Sequence, residues 1–114
     1  MIKDVKIGDQ TVAMAANAAT PIRFATVFHE DPMRGLDELQ KGGDADAGRA
    51  TSLIMKLGFI MAMTAEKKDI AKLGEEDFIA WLEGFELQDI MEATNDIVAV
   101  YLGNKKMLSS SKKK

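Results

Sequence analysis

The sequence feature that most constrains the fold is the apolar stretch LIMKLGFIMAM at residues 53–63, which only Lys56 and Gly58 interrupt. The spacing predicts a helix from Arg49 to about Lys72, and apolar residues occupy nearly all of its faces. Such a helix must lie at the centre of a domain or be covered by a partner. The stretch is far shorter than the roughly 20 residues that a membrane span requires, so we expect no membrane insertion.

The N-terminal residues show the pattern of a β-hairpin. Apolar residues flank the pair Gly8-Asp9, in runs at residues 2–7 and 12–14. Glycine supplies the positive φ that a tight hairpin turn needs, so we expect two strands within about residues 1–16. Because two strands alone are marginally stable in water, this hairpin must pack on helices or pair with another copy of the chain.

Two proline-containing pairs predict the starts of the next helices. Thr20-Pro21 and Asp31-Pro32 each combine a residue that can cap free backbone N–H groups with a proline near the first helical position. Gly42-Gly43 is expected to end the second of these helices. Two short helices should therefore lie between the hairpin and the apolar helix.

The last third of the chain predicts two more helices. Asp77 is expected to cap the first, which carries Trp81 on its apolar stripe, and the last helix is expected to follow Glu86 and end at Gly103-Asn104. The fold class that follows is mainly α, a small bundle of four to five helices preceded by an N-terminal β-hairpin (α+β). We expect one helical domain over residues 1–104 and a flexible basic C-terminal tail over residues 105–114.

The charge distribution argues against nucleic acid as a ligand. The chain has 18 acidic and 15 basic residues, but no acid follows Asp96, and five lysines lie within residues 105–114. The part before residue 105 therefore carries ten basic residues against 18 acids, a net charge of −8. Such a surface repels phosphate groups. The chain also lacks cysteine, which suits a reducing compartment, so we expect a cytoplasmic protein.

No residue pattern predicts catalysis, a metal site or a cofactor. Asp44 and Asp46 begin like a calcium loop, but Arg49 and Met55 occupy the positions of the required glycine and bidentate glutamate. His29 is the only histidine, and without cysteine it cannot complete a zinc site. We therefore expect a protein that is not an enzyme and that holds no cofactor.

The order of these features resembles the tail assembly chaperones of long-tailed bacteriophages and prophages, particularly those of Gram-positive hosts. The resemblance rests first on KIGDQTVAMAANAATPIRFATVF at residues 6–28, a short hairpin that leads into a helix start at Thr20-Pro21. It rests also on DFIAWLEGFELQDI at residues 77–90, followed by a helix, LGNKK and SSSKKK. The similarity extends over nearly the whole chain.

The resemblance implies a non-enzymatic function in the cytoplasm of an infected host cell. Such chaperones coat the tape measure protein, recruit tail tube subunits and leave before the tail is complete. They also self-associate, and many are made in a longer form by a programmed ribosomal frameshift. We therefore expect a homo-oligomer whose partners are the tape measure protein and the tail tube protein, with no nucleic acid or membrane partner.

The candidate partner-binding residues come from the apolar helix and from the segment around Trp81. They are Leu53, Leu57, Ile60, Met61, Phe78, Trp81 and Phe85. The sequence pattern alone does not separate core residues from contact residues among them. The alternative function is that of a small helical regulatory or adaptor protein that binds one protein partner.

Overall fold

The computed structural model of the protein describes residues 2–32, 34 and 47–103. Within these ranges, a two-stranded hairpin precedes five α-helices, which confirms the predicted mainly helical α+β class. The elements are β1 (Ile2–Ile7), β2 (Gln10–Ala15), α1 (Thr20–Phe28), α2 (Ala47–Ala65), α3 (Glu75–Leu82), α4 (Leu87–Glu92) and α5 (Thr94–Leu102), with a 3-10 turn at Ile70–Lys72. None of the described helices is long and apolar enough to cross a membrane.

The predicted hairpin is confirmed, and its turn lies at Gly8-Asp9. The strands are antiparallel, and Ile7 is paired with Gln10 across the two-residue turn. Gly8 has a φ of +64°, which residues with a side chain rarely adopt. A Cβ atom at Gly8 would also collide with the carboxylate of Asp89 in α4. Glycine is therefore favoured here by backbone conformation, and a larger residue would also displace the Asp89 carboxylate.

One face of the hairpin packs on the helices. Val5, Ile7 and Met14 are buried, and they alternate along the strands with exposed side chains, as expected for a sheet with one solvated face. At the end of the hairpin, the side-chain Nε2 of Gln10 donates a hydrogen bond of 2.8 Å to the carbonyl oxygen of Gly84. The hairpin is thus joined to the segment between α3 and α4.

Helix α2 is central, and the chain itself covers it. Its residues 57 and 59–62 are at most 1% exposed, and it contacts β2, α1, α3 and α5. Helix α2 lies close to α5 at Gly58, where a Cβ atom would lie 3.2 Å from Cδ1 of Ile97. The apolar character of this helix on nearly every face is therefore explained by burial within a single chain.

A chain of contacting aromatic rings joins α2 to two of the helices around it, α1 and α3. It contains every phenylalanine and the only tryptophan of the sequence, with neighbouring ring centroids 5.0 to 6.2 Å apart. Its members are Phe24 and Phe28 of α1, Phe59 of α2, Phe78 and Trp81 of α3, and Phe85 beyond α3. The tilted and edge-to-face arrangements are those that the charge distribution of aromatic rings favours.

The one charged residue within the apolar stretch lies beside this aromatic cluster. The Nζ of Lys56 forms an ion pair of 2.8 Å with Oε2 of Glu30 and lies 5.2 Å from the ring centroid of Phe28. The methylene groups of lysine can cover apolar surface while the ammonium group reaches a partner. Lys56 is therefore accommodated in α2 without leaving a buried charge unpaired.

The prediction that the apolar helix extends to about Lys72 is wrong, since α2 ends at Ala65. Lys67 adopts a left-handed φ of 62°. Its N–H donates to the carbonyl of Thr64, and the next N–H, that of Lys68, donates to the carbonyl of Met63. This is the Schellman pattern of helix termination, in which the left-handed position is usually glycine. The sequence hides this end because a lysine occupies the position.

The prediction of a single helix after Glu86 is also wrong, because the chain turns between α4 and α5 at Ala93. Ala93 has φ −88° and ψ −3°, and its N–H bonds to the carbonyl of Ile90. The hydroxyl of Thr94 donates to the carbonyl of Met91 at 2.9 Å, which satisfies an acceptor that the helix end leaves free. The turn allows both Ile90 and Ile97 to be buried.

The helix starts predicted from proline are present, with one difference in capping. Helix α1 begins at Thr20, but the Thr20 hydroxyl is fully buried and accepts a hydrogen bond of 2.9 Å from the N–H of Asn17. At the second start, the N–H of Arg34 donates to Oδ1 of Asp31 at 3.4 Å. The expected helix end at Gly42-Gly43 and the tail at 105–114 lie outside the described residues.

Replacing Lys67 with glycine is expected to stabilise the fold, because glycine adopts the left-handed conformation without steric cost. We expect Lys67→Gly to raise the free energy of unfolding by about 1 kcal/mol, measured by urea denaturation. Lys67→Ala is the matched control, since it removes the same side chain without relieving the backbone. Equal stability of the two variants would contradict the helix end described above.

Tyr101 is expected to make stability depend on pH in the alkaline range. Burial and the nearby carboxylate of Asp31 raise the pKa of its phenol above the ordinary value of 10.0. The unfolded chain therefore loses this proton first, so this contribution to stability is present below pH 10.0 and falls as pH rises through the folded pKa. The Tyr101→Phe variant should lack that decrease in stability when urea denaturation is measured over a series of pH values. The difference between the two proteins isolates the contribution of the Tyr101 phenol.

Candidate protein-binding surface

The described residues hold no arrangement that resembles a metal centre. No group of three or more histidine, cysteine, aspartate or glutamate side chains within them could hold a metal ion. His29 is exposed at the end of α1 and has a left-handed backbone conformation. Its N–H donates a hydrogen bond of 2.8 Å to the carbonyl of Ala25. Asp44 and Asp46, the start of the incomplete calcium loop, lie outside the described residues.

The acidic run at the start of α3 has a structural role. Glu75, Glu76 and Asp77 form its first turn, where negative charge stabilises the positive end of the helix dipole. The sequence predicts Asp77 as the residue that caps the start of α3, but the N-cap position is held by Gly74. Asp77 is the third residue of the helix, and its Oδ2 accepts a hydrogen bond of 2.9 Å from the N–H of Gly74. These carboxylates are exposed and define one end of a negative surface.

Five of the seven candidate partner-binding residues are buried in the hydrophobic core of the single chain. They are Leu53, Leu57, Ile60, Met61 and Phe78, each at most 8% exposed. A partner would reach these side chains only if the core opened. Their placement therefore assigns them contacts within the chain itself.

The other two candidates remain partly accessible at the edge of the aromatic cluster. The ring of Trp81 lies 5.8 Å from that of Phe59 and 5.0 Å from that of Phe85. Trp81 and Phe85 are both half-buried and pack against the core from outside. They can support the fold and still offer ring surface to a partner.

Among the described residues, the most exposed large apolar side chains are ones that the sequence analysis did not select as partner-binding. On α3 and α4, Ile79 is 54% exposed, Leu87 66% and Met91 46%. Ile2 of β1 and Ile22 of α1 are also exposed, at 59% and 68%. The available signal was the four-residue spacing of Leu87 and Met91, which places them next to each other on the helix surface.

The segment of the chain that carries Ile79, Leu87 and Met91 is negatively charged and holds no basic residue. Residues 73–103 contain eight acidic residues and no lysine, arginine or histidine. All eight acidic residues are exposed or half-buried. Two ion pairs between described residues, Lys56 with Glu30 and Lys68 with Glu66, lie elsewhere. Exposed apolar side chains on α3 and α4 are thus accompanied by carboxylates without cationic neighbours in this part of the chain.

The hairpin offers a second kind of contact. Its two strands pair only with each other. Within the described ranges, the backbone hydrogen bonds outside regular elements involve residues from Asn17 onwards and neither strand. The outer edges of β1 and β2 therefore have no described backbone partner, and such edges can pair with a strand from another chain.

Comparisons with models of known protein families, with curated proteins and with solved structures find no match to this chain.

Two alanine substitutions should separate the core from the exposed surface. Trp81→Ala removes a ring that lies between Phe59 and Phe85, so we expect the free energy of unfolding to fall by about 2 kcal/mol. Leu87→Ala removes an exposed side chain and is expected to change it by less than about 0.5 kcal/mol. Urea denaturation measures both. A loss at Leu87 as large as that at Trp81 would place Leu87 in the core.

Proposed function

We propose that this protein is a non-enzymatic tail assembly chaperone of a long-tailed bacteriophage or prophage. In this role it self-associates, coats the tape measure protein and recruits tail tube subunits in the cytoplasm of the host cell. The sequence similarity of residues 6–28 and 77–90 to such chaperones motivates the proposal. The structural observation that carries it is the exposure of Ile79, Leu87 and Met91 on a chain that already has a complete core.

The exposed apolar residues support binding to a long helical partner. A tape measure protein is long and helical, and it presents apolar stripes until the tail encloses it. A small domain with a few exposed apolar side chains would make a weak contact with such a stripe. Many copies along one partner would gain avidity through multivalency, while each contact stays weak enough to be displaced.

The hairpin supports self-association between the bound copies. The outer edges of β1 and β2 have no described backbone partner. Ile2, at one end of β1, is 59% exposed. Pairing of two edges would satisfy backbone N–H and C=O groups of both chains and cover this side chain. A row of copies joined in this way would shield a long protein more effectively than separate domains.

Co-expression with the long helical protein encoded beside this one tests the function. We expect the long protein to become soluble and to form a complex with several copies of this chain, because its apolar stripes are then covered. Solubility and size-exclusion chromatography with light scattering provide the measurement.

The control is expression of the long protein alone, and two results would contradict the proposal. Equal insolubility of the long protein with and without this chain would remove the chaperone function. A soluble complex with one copy of this chain would instead favour the adaptor alternative, in which a single partner is bound.

A further inference from the structure

The exposed apolar side chain of α3 is surrounded by carboxylates on its own helix. Ile79 is 54% exposed. Glu75, Glu76 and Glu83 lie four residues before it, three before it and four after it, which are the positions adjacent to Ile79 on a helix surface. All three glutamates are exposed. A ligand that covers Ile79 must therefore also meet negative charge.

Exposed apolar residues and glutamates also follow one another in the sequence of α4, the next helix along the chain. Leu87 and Met91 are exposed and lie one helical turn apart, so their side chains adjoin each other. Glu86 precedes Leu87, and Glu92 follows Met91, with its Oε2 accepting a hydrogen bond of 2.8 Å from Nε2 of Gln88. We use the name acidic face for the exposed apolar and glutamate side chains that residues 75–92 carry. It comprises Ile79, Leu87 and Met91 with Glu75, Glu76, Glu83, Glu86 and Glu92.

The charge of the acidic face indicates the sign of its ligand. Residues 73–103 contain no basic residue, and none of the described ion pairs involves a carboxylate of this face. Like charges placed near one another repel, and the repulsion is relieved when cations bind. The ligand that fits must therefore carry positive charge at the border of an apolar patch.

The backbone of the acidic face indicates the conformation of the ligand. The N–H and C=O groups within α3 and α4 are used by the helices themselves, so a strand cannot be added here as it can at a sheet edge. An amphipathic helix satisfies its own backbone and presents side chains one turn apart, which matches the spacing of Leu87 and Met91.

We propose that the acidic face binds a cationic amphipathic helix of another protein, with lysine or arginine residues on both sides of an apolar stripe. The apolar stripe would cover Ile79, Leu87 and Met91, and the cations would meet the five glutamates. This inference rests on the proposed function in that it assigns a chemical class to the helical partner. It predicts that the partner segments that bind are those with lysine or arginine beside the apolar stripe, and that an apolar stripe alone is not sufficient.

The test uses the full-length protein and a synthetic amphipathic peptide of leucine and lysine at helical spacing, with binding measured by calorimetry. We expect binding that weakens roughly tenfold when NaCl rises from about 0.05 M to about 0.5 M, since salt screens exposed charges. The methyl resonance of Met91 should shift during titration. A peptide of the same pattern with glutamate in place of lysine should not bind.

Matched variants locate the site. We expect Leu87→Ser with Met91→Ser to weaken peptide binding at least roughly tenfold, and Glu83→Gln with Glu86→Gln to weaken it severalfold and to reduce its salt dependence. The controls are Ile22→Ser, an equally exposed apolar position on α1, and Glu66→Gln, an exposed carboxylate outside the acidic face. Both controls should bind as the wild type does. Circular dichroism and thermal unfolding check that each variant is folded.

Three results would overturn the inference. The first is equal binding of the lysine and glutamate peptides, and the second is equal weakening of binding by the control and site variants. The third is that a peptide with the sequence of residues 104–114 binds more tightly than the lysine peptide, which would make the chain's own C-terminus the occupant. If the long neighbouring protein is solubilised while the lysine peptide does not bind, the inference fails and the chaperone function stands. If the peptide binds while the long protein stays insoluble, the chaperone function fails and the acidic face stands.

Discussion

Burial of helix α2 on nearly all of its sides is the interaction on which the rest of the structure depends. Its apolar surface is too large for one neighbour to cover, so the hairpin, α1, α3 and α5 all pack against it. Phe59 illustrates the arrangement, because its ring contacts those of Phe28, Phe78 and Trp81 and thereby connects three helices. The short helices around α2 would be marginal in isolation and gain their stability from this packing.

The use of apolar residues in one core determines what remains for binding. With the apolar stretch of α2 enclosed by its own chain, the side chains left for partners are those that face away from it. Ile79, Leu87 and Met91 are of this kind. Helix α4 meets the hairpin at Gly8, and Gln10 bonds to Gly84 between α3 and α4. The binding surface is thus carried by elements whose positions are set by the core and the hairpin together.

Turn chemistry and hydrophobic periodicity predicted much of this fold. Gly8-Asp9 indicated the hairpin and its turn, and Thr20-Pro21 indicated the start of α1. Two helix ends were missed for different reasons. Lys67 occupies a left-handed position that normally holds glycine, so no residue signalled the end of α2. Ala93 is a strong helix former, and the chain turns there because both flanking helices then bury an isoleucine, which is a tertiary effect.

The sequence by itself determined the fold class, the need to cover the apolar helix on nearly all sides and the negative charge of the last third, because these follow from residue types and their spacing. It did not determine which apolar residues are core and which are surface. Phe78 and Ile79 are neighbours of similar hydrophobicity, yet one is 8% exposed and the other 54%. Only the tertiary structure decides this, because a side chain is buried or exposed according to the direction in which its helix lies against α2.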